Sequence, residues 1–189
     1  YYIYSNMPKK NSSGEIIFND YPDFRPNLTP SEIFKLGSFG GTYWRPIYST
    51  VTQKNYKNKH LVYPKTWWKN IPTEWLVNSW DNYDTKINKY KVKVGTTLEF
   101  WEDKNWISKH HPYGWVQWYC DFYSGKRSPD DDRQIDRWVK TAGPKSRFRR
   151  ALINEIHRKK TKYNDFNVSP KRRQTLQHWG YALTAKDCS

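Results

Sequence analysis

The chain has 189 residues, with 33 Lys and Arg against 18 Asp and Glu, a formal net charge of +15 and a mean hydropathy of −1.06. That length supports one domain with a real core, and that charge favours a polyanionic partner: a phosphate backbone, an anionic surface or an acidic protein. No run approaches the ~18 apolar residues that a membrane-spanning helix needs, so no membrane partner is expected. Cys120 and Cys188 are far apart and follow no metal or redox spacing, a pattern that suits a reducing, intracellular setting. The 11 Trp, 15 Tyr and 8 Phe stand in for scarce aliphatic residues in the core and leave a few rings for stacking on bases.

Residues 1–28 are punctuated by Pro8, Gly14, Pro22 and Pro26 and read as an extended amino-terminal arm. Residues 29–189 read as a single aromatic-rich, mainly helical basic domain. Its first helix follows Thr29-Pro30-Ser31-Glu32, a hydroxyl cap, a proline at the first position and a carboxylate to close a capping box. Gly37 ends it. The glycines Gly37, Gly40 and Gly41 then allow tight turns, and their amides, with Arg45 beside them, form a candidate phosphate loop. The Gly-Lys-Ser/Thr ending of a Walker loop is missing, and a helix rather than a strand precedes the glycines, which excludes a Rossmann fingerprint.

Residues 48–95 interleave basic and aromatic side chains, as in Tyr63-Pro64-Lys65-Thr66-Trp67-Trp68-Lys69, a grammar that suits a single strand. A short helix is expected between Thr96 and Ile107. Trp115, Trp118, Tyr119 and Phe122 then fall at helical spacing and predict a core helix. Ser128-Pro129-Asp130-Asp131-Asp132 and Ser169-Pro170 predict two more helix starts with a serine cap. Between them, Gly143-Pro144 separates two helices, the second opening on Lys145-Ser146-Arg147-Phe148-Arg149-Arg150. Residues 126–173 hold 16 Lys and Arg against 6 Asp and Glu, so most of the net charge sits in this quarter of the chain.

The fold class expected is mainly α with a few short strands, α+β being the neighbouring class. A carboxy-terminal helical core would be wrapped by a loop-rich amino-terminal half. The function expected is nucleic-acid binding. Cations at a helix start oppose its dipole, and a bound phosphate would account for them. The residues expected to carry it are Arg45, Lys126, Arg127, Lys145, Arg147, Arg149, Arg150, Lys171, Arg172 and Arg173. The clusters at 147–150 and 171–173 are expected to converge on one rim. Two alternatives stand beside this. One is an enzyme acting on nucleic acid, a nuclease or base-excision type, with Asp121, Asp131, His110 and His111 as catalytic candidates and Mg2+ as the ion an aspartate cluster would hold. The other is a structural component of a packaged genome or ribonucleoprotein. No cofactor and no dedicated metal site are otherwise expected. A nucleus or another nucleic-acid-containing compartment is the matching location.

Overall fold

The computed structural model describes residues 7–189, so the first six residues of the expected arm lie outside the described residues. The fold is mainly α with one short hairpin, as expected. Its helices are α1 (Pro30–Lys35), α2 (Leu98–Asp103), α3 (Trp115–Tyr123), α4 (Asp131–Ala142), α5 (Arg147–Arg158) and α6 (Pro170–His178). Strands β1 (Ile47–Ser49) and β2 (Lys54–Tyr56) pair antiparallel, with Tyr48 opposite Asn55. Short 3-10 turns and irregular loops make up most of residues 38–97. Among the described residues no helix is long and apolar enough to cross a membrane.

The centre of the core is α3. Its residues 115–120 and Phe122 are all buried. A helix buried over most of its surface must be covered on several sides, and three parts of the chain do so. Phe24, from the amino-terminal segment, packs its ring within 6.2 Å of Trp115, Trp118, Tyr119, Phe122 and Trp138. Helix α4 brings Trp138, whose indole donates to the Trp179 carbonyl at 2.8 Å. The loop after α1 brings Tyr43, whose hydroxyl donates to the Tyr113 carbonyl and accepts from the Gln117 amide. The polar tips of Tyr43 and Trp138 are thus satisfied by backbone, which lets these rings replace aliphatic residues, whereas the buried Trp44 indole nitrogen has no partner among the described residues. Ile16, Phe18 and Phe24 are buried as deeply as any helix residue, so the described part of the arm is a strap closing the core.

The helix starts differ in how they are capped. Thr29 forms the full capping box with Glu32. Ser146 caps α5 through the Arg149 amide. The expected serine caps at the other two starts are corrected. Helix α4 begins three residues beyond Ser128, and the Asp131 carboxylate accepts from the Ser128 amide and hydroxyl. Ser169 has φ +49° and makes no capping bond. Its backbone is turned into the left-handed region, so the hydroxyl cannot reach the free amides.

Candidate functional site

The expected phosphate rim is split by burial. Arg149 is only 5 % exposed. Its guanidinium donates to the Ala142 carbonyl, lies 3.7 Å over the Tyr181 ring and faces Asp187 at 3.5 Å. Arg173, 4 % exposed, donates to the carbonyls of Tyr163, Asp165 and Val168 and so ties down the loop before α6. Burial pushes the pKa of both guanidiniums down. A phosphate contact for either is corrected to a structural role, because all their donors already have partners inside the protein. Arg127 is taken up by Asp20 at 2.8 Å and stacks on Phe122, and Lys126 lies 3.8 Å from Asp121. Lys145, Arg147, Arg150, Lys171 and Arg172 remain exposed.

The glycine loop is likewise committed inward. The Gly37 amide donates to the Phe34 carbonyl and the Gly40 amide to Asn88 Oδ1 at 2.8 Å. A Cβ at Gly37 would stand 1.9 Å from the Ile87 carbonyl oxygen, and one at Gly41 would stand 2.5 Å from that of Glu74. The glycines let three loops touch backbone to backbone, and the expected phosphate cradle at Gly37, Gly40 and Gly41 is corrected accordingly. Of Gly37, Gly40, Gly41 and Arg45, only Arg45 lines a cavity.

A polar cavity of about 190 Å3 gathers all four catalytic candidates, His110, His111, Asp121 and Asp131. His111 Nε2 lies 3.2 Å from Asp121, and the other Asp121 oxygen accepts from the Tyr63 hydroxyl at 2.9 Å. Burial alone would push the Asp121 carboxyl up. The hydrogen bonds from His111 and Tyr63 and the Lys126 charge outweigh it and hold it below the usual value. Such a carboxylate is a fixed acceptor and a poor proton shuttle at neutral pH. His111 Nδ1 is buried with no partner and is closed to solvent. The three adjacent aspartates point three ways: Asp130 pairs with Arg133, Asp131 accepts from the Trp118 indole, and Asp132 accepts from the Tyr21 hydroxyl. No three His, Cys, Asp or Glu side chains among the described residues converge as metal ligands.

The larger cavity, about 360 Å3, is an aromatic cleft. One wall comes from α2 and its flanks, with Phe100, Trp101 and Trp106. The other comes from α4, α5 and α6, with Thr141, Phe148, Thr175 and Trp179. Tyr43 and Phe39 lie behind, and Trp80 and Tyr83 close one end. Phe39 holds φ +63° and stacks on His178 at 3.9 Å. His178 accepts from the Phe39 amide, and burial pushes its pKa down to about 3, so it presents a neutral ring.

Two charged side chains line the cleft, both arginines. Arg45 lies 5.2 Å from the Trp80 ring centre and donates to the Thr42 carbonyl. Arg137 lies 5.2 Å from that of Trp179 and donates to Gln134 Oε1 at 2.8 Å. No Asp or Glu lines the cleft, and among the described residues neither arginine has a carboxylate within 4.0 Å. Burial, then the neighbouring Arg133 charge, pushes the pKa of Arg137 down to about 10. Burial also lowers that of Arg45. Both stay cationic at neutral pH but are poorly solvated, a condition that an incoming anion relieves. Two residues of the basic helix starts are chain neighbours of cleft residues: the Lys171 carbonyl accepts from the Thr175 hydroxyl, and Arg147 precedes Phe148.

Sequence reasoning had included Arg45 but missed Arg137, Trp80, Trp106 and Phe148 as one site. A signal existed for Arg137. Its helical neighbours at three and four residues are Arg133, Gln134, Lys140 and Thr141, none carrying a carboxylate to form an ion pair with it. Neither a family model, nor a curated protein, nor a solved structure matches the chain, so the site is read from its chemistry alone.

Proposed function

We propose that the protein binds single-stranded nucleic acid, with the aromatic cleft as its anchor. The observation that carries this reading is the pairing of a stacking surface with two arginines that have no carboxylate partner. Bases offer flat π-faces to the rings, and the phosphates offer the missing anion. A duplex hides its bases in the stack, so it reaches only the cations. Lys145, Arg147, Arg150, Lys171 and Arg172 supply further phosphate contacts along the rim, and the net charge of +15 draws the strand in.

Titration of tryptophan fluorescence with single-stranded and duplex oligonucleotides of equal length tests this reading. Single strands are expected to bind at least tenfold more tightly. Each phosphate contact adds ~0.7 to the slope of log affinity against log salt. Trp106→Ala is expected to weaken single-strand binding by roughly 1–3 kcal/mol. Equal or tighter duplex binding, or an unchanged affinity in Trp106→Ala, overturns the reading.

A further inference from the structure

We infer that the cleft is a site for one nucleoside monophosphate unit, its base between the aromatic walls and its phosphate on Arg45 and Arg137. This rests on the single-strand reading and names the unit by which a strand would be held. A cavity of about 360 Å3 falls at the small end of ligand clefts, so it suits one nucleotide better than a run of stacked bases. It is also a concave chamber with walls from widely separated segments, whereas a strand running through needs an open groove.

The chemistry of the lining separates the parts of the ligand. Trp106 and Phe148 are 39 % and 38 % exposed, with faces available at the mouth for a planar ring. The polar liners besides the arginines are chiefly threonines. Thr42 and Thr175 have given their hydroxyl protons to the carbonyls of Phe39 and Lys171. They remain only as acceptors, and the one lone pair of His178 Nε2 is already taken by the Phe39 amide. A donor-poor, aromatic interior accepts a neutral base and rejects a bare anion, which would lose its water without replacement. The phosphate therefore belongs on the guanidiniums, which offer planar donor pairs suited to its oxygens. A ligand with only one of the two parts fills half of the site.

Calorimetry with adenosine 5′-monophosphate, adenosine and inorganic phosphate, each on the full chain, tests the inference. The monophosphate is expected to bind once per chain, at least tenfold more tightly than either adenosine or phosphate. Arg137→Gln is expected to bring the monophosphate to the level of adenosine and leave adenosine unchanged. Trp106→Ala is expected to weaken both by a similar factor, about tenfold. Thermal melts establish that each variant is folded, and Arg45→Gln replaces Arg137→Gln if the latter is not. A monophosphate that binds no better than phosphate, or is indifferent to both arginine variants, overturns the inference. If oligonucleotides bind and the monophosphate fails to displace them, the pocket assignment falls and the single-strand reading stands. If the monophosphate binds as expected and oligonucleotides do not, the strand reading falls and the cleft is a site for the free nucleotide.

Discussion

The cavity around Asp121 and the cleft around Arg137 lie on the same helical core and treat charge in opposite ways. In the first, Asp121 meets His111, Tyr63 and Lys126, Asp131 meets Ser128 and Trp118, and Arg127 meets Asp20. In the second, two arginines stand among aromatic rings with only neutral acceptors. Paired charge inside a protein holds the fold in register, and breaking such a pair strands the partner. Unpaired, poorly solvated charge beside stacking surfaces contributes little to the fold and much to a ligand of opposite sign. The motifs that resemble active-site chemistry, a histidine pair and an aspartate run, belong to the structural cavity. The aromatic cleft is lined by segments that share no motif.

Arg149→Met offers the largest way to test this contrast. It leaves the Ala142 carbonyl without its guanidinium donor and removes the buried cation from Asp187 and Tyr181. A loss of about 3 kcal/mol is expected in urea unfolding, with single-strand affinity of the folded fraction unchanged. Asp121→Ala comes next. It strands the Tyr63 hydroxyl and His111 and is expected to cost about 2 kcal/mol, again without effect on the cleft.

The pH dependence of stability separates the two regions further. His178 titrates near 3 when folded against 6.5 as its ordinary value, so the unfolded chain takes up its proton first. Its contribution is complete above about pH 6.5 and is lost as pH falls toward 3, at up to about 1.4 kcal/mol per pH unit. Asp121 is also held below its ordinary 3.8, so its share is lost only as pH falls below about 4. Urea midpoints measured from pH 7 to pH 3 are expected to fall already between pH 6 and pH 5, and a His178→Gln variant is expected to reduce that early fall, the remainder coming from His60, whose pKa burial also lowers. A wild-type midpoint that is flat down to pH 4 contradicts the buried neutral histidine.

For the two cleft arginines the effects on folding are small. Arg45→Gln and Arg137→Gln are each expected to change stability by less than about 1 kcal/mol. Arg45→Gln loses one hydrogen bond and Arg137→Gln two, to Gln134 and to the Trp106 carbonyl, while each sheds the penalty of a poorly solvated cation, and these oppose. A loss as large as that of Arg149→Met would erase the distinction between the two regions. Lys140→Ala, which breaks an exposed pair with Asp136 at 2.7 Å, sets the baseline at under about 0.5 kcal/mol.

The amino-acid sequence by itself determined the class of fold, the α1 start with its Thr29–Glu32 box, the core helix from Trp115 to Tyr123 and the strongly basic carboxy-terminal quarter. These are local properties: a cap spans four residues, a buried face repeats every turn, and charge is additive. Only the tertiary structure decided which cations were free. Arg147 and Arg149 are two residues apart, yet one is exposed and the other is buried against Tyr181 and Ala142. Arg172 and Arg173 divide in the same way. A side chain's direction follows from which helix face meets the core, and its pairing from residues tens of positions away. The cleft is the extreme case. Arg45, Trp80, Trp106, Arg137 and Phe148 share no motif and meet because loops and helices from distant parts of the chain line one cavity, the Trp106 carbonyl accepting from Arg133 and Arg137 of α4. A surface assembled from such distant segments has no periodicity for a linear reading to detect.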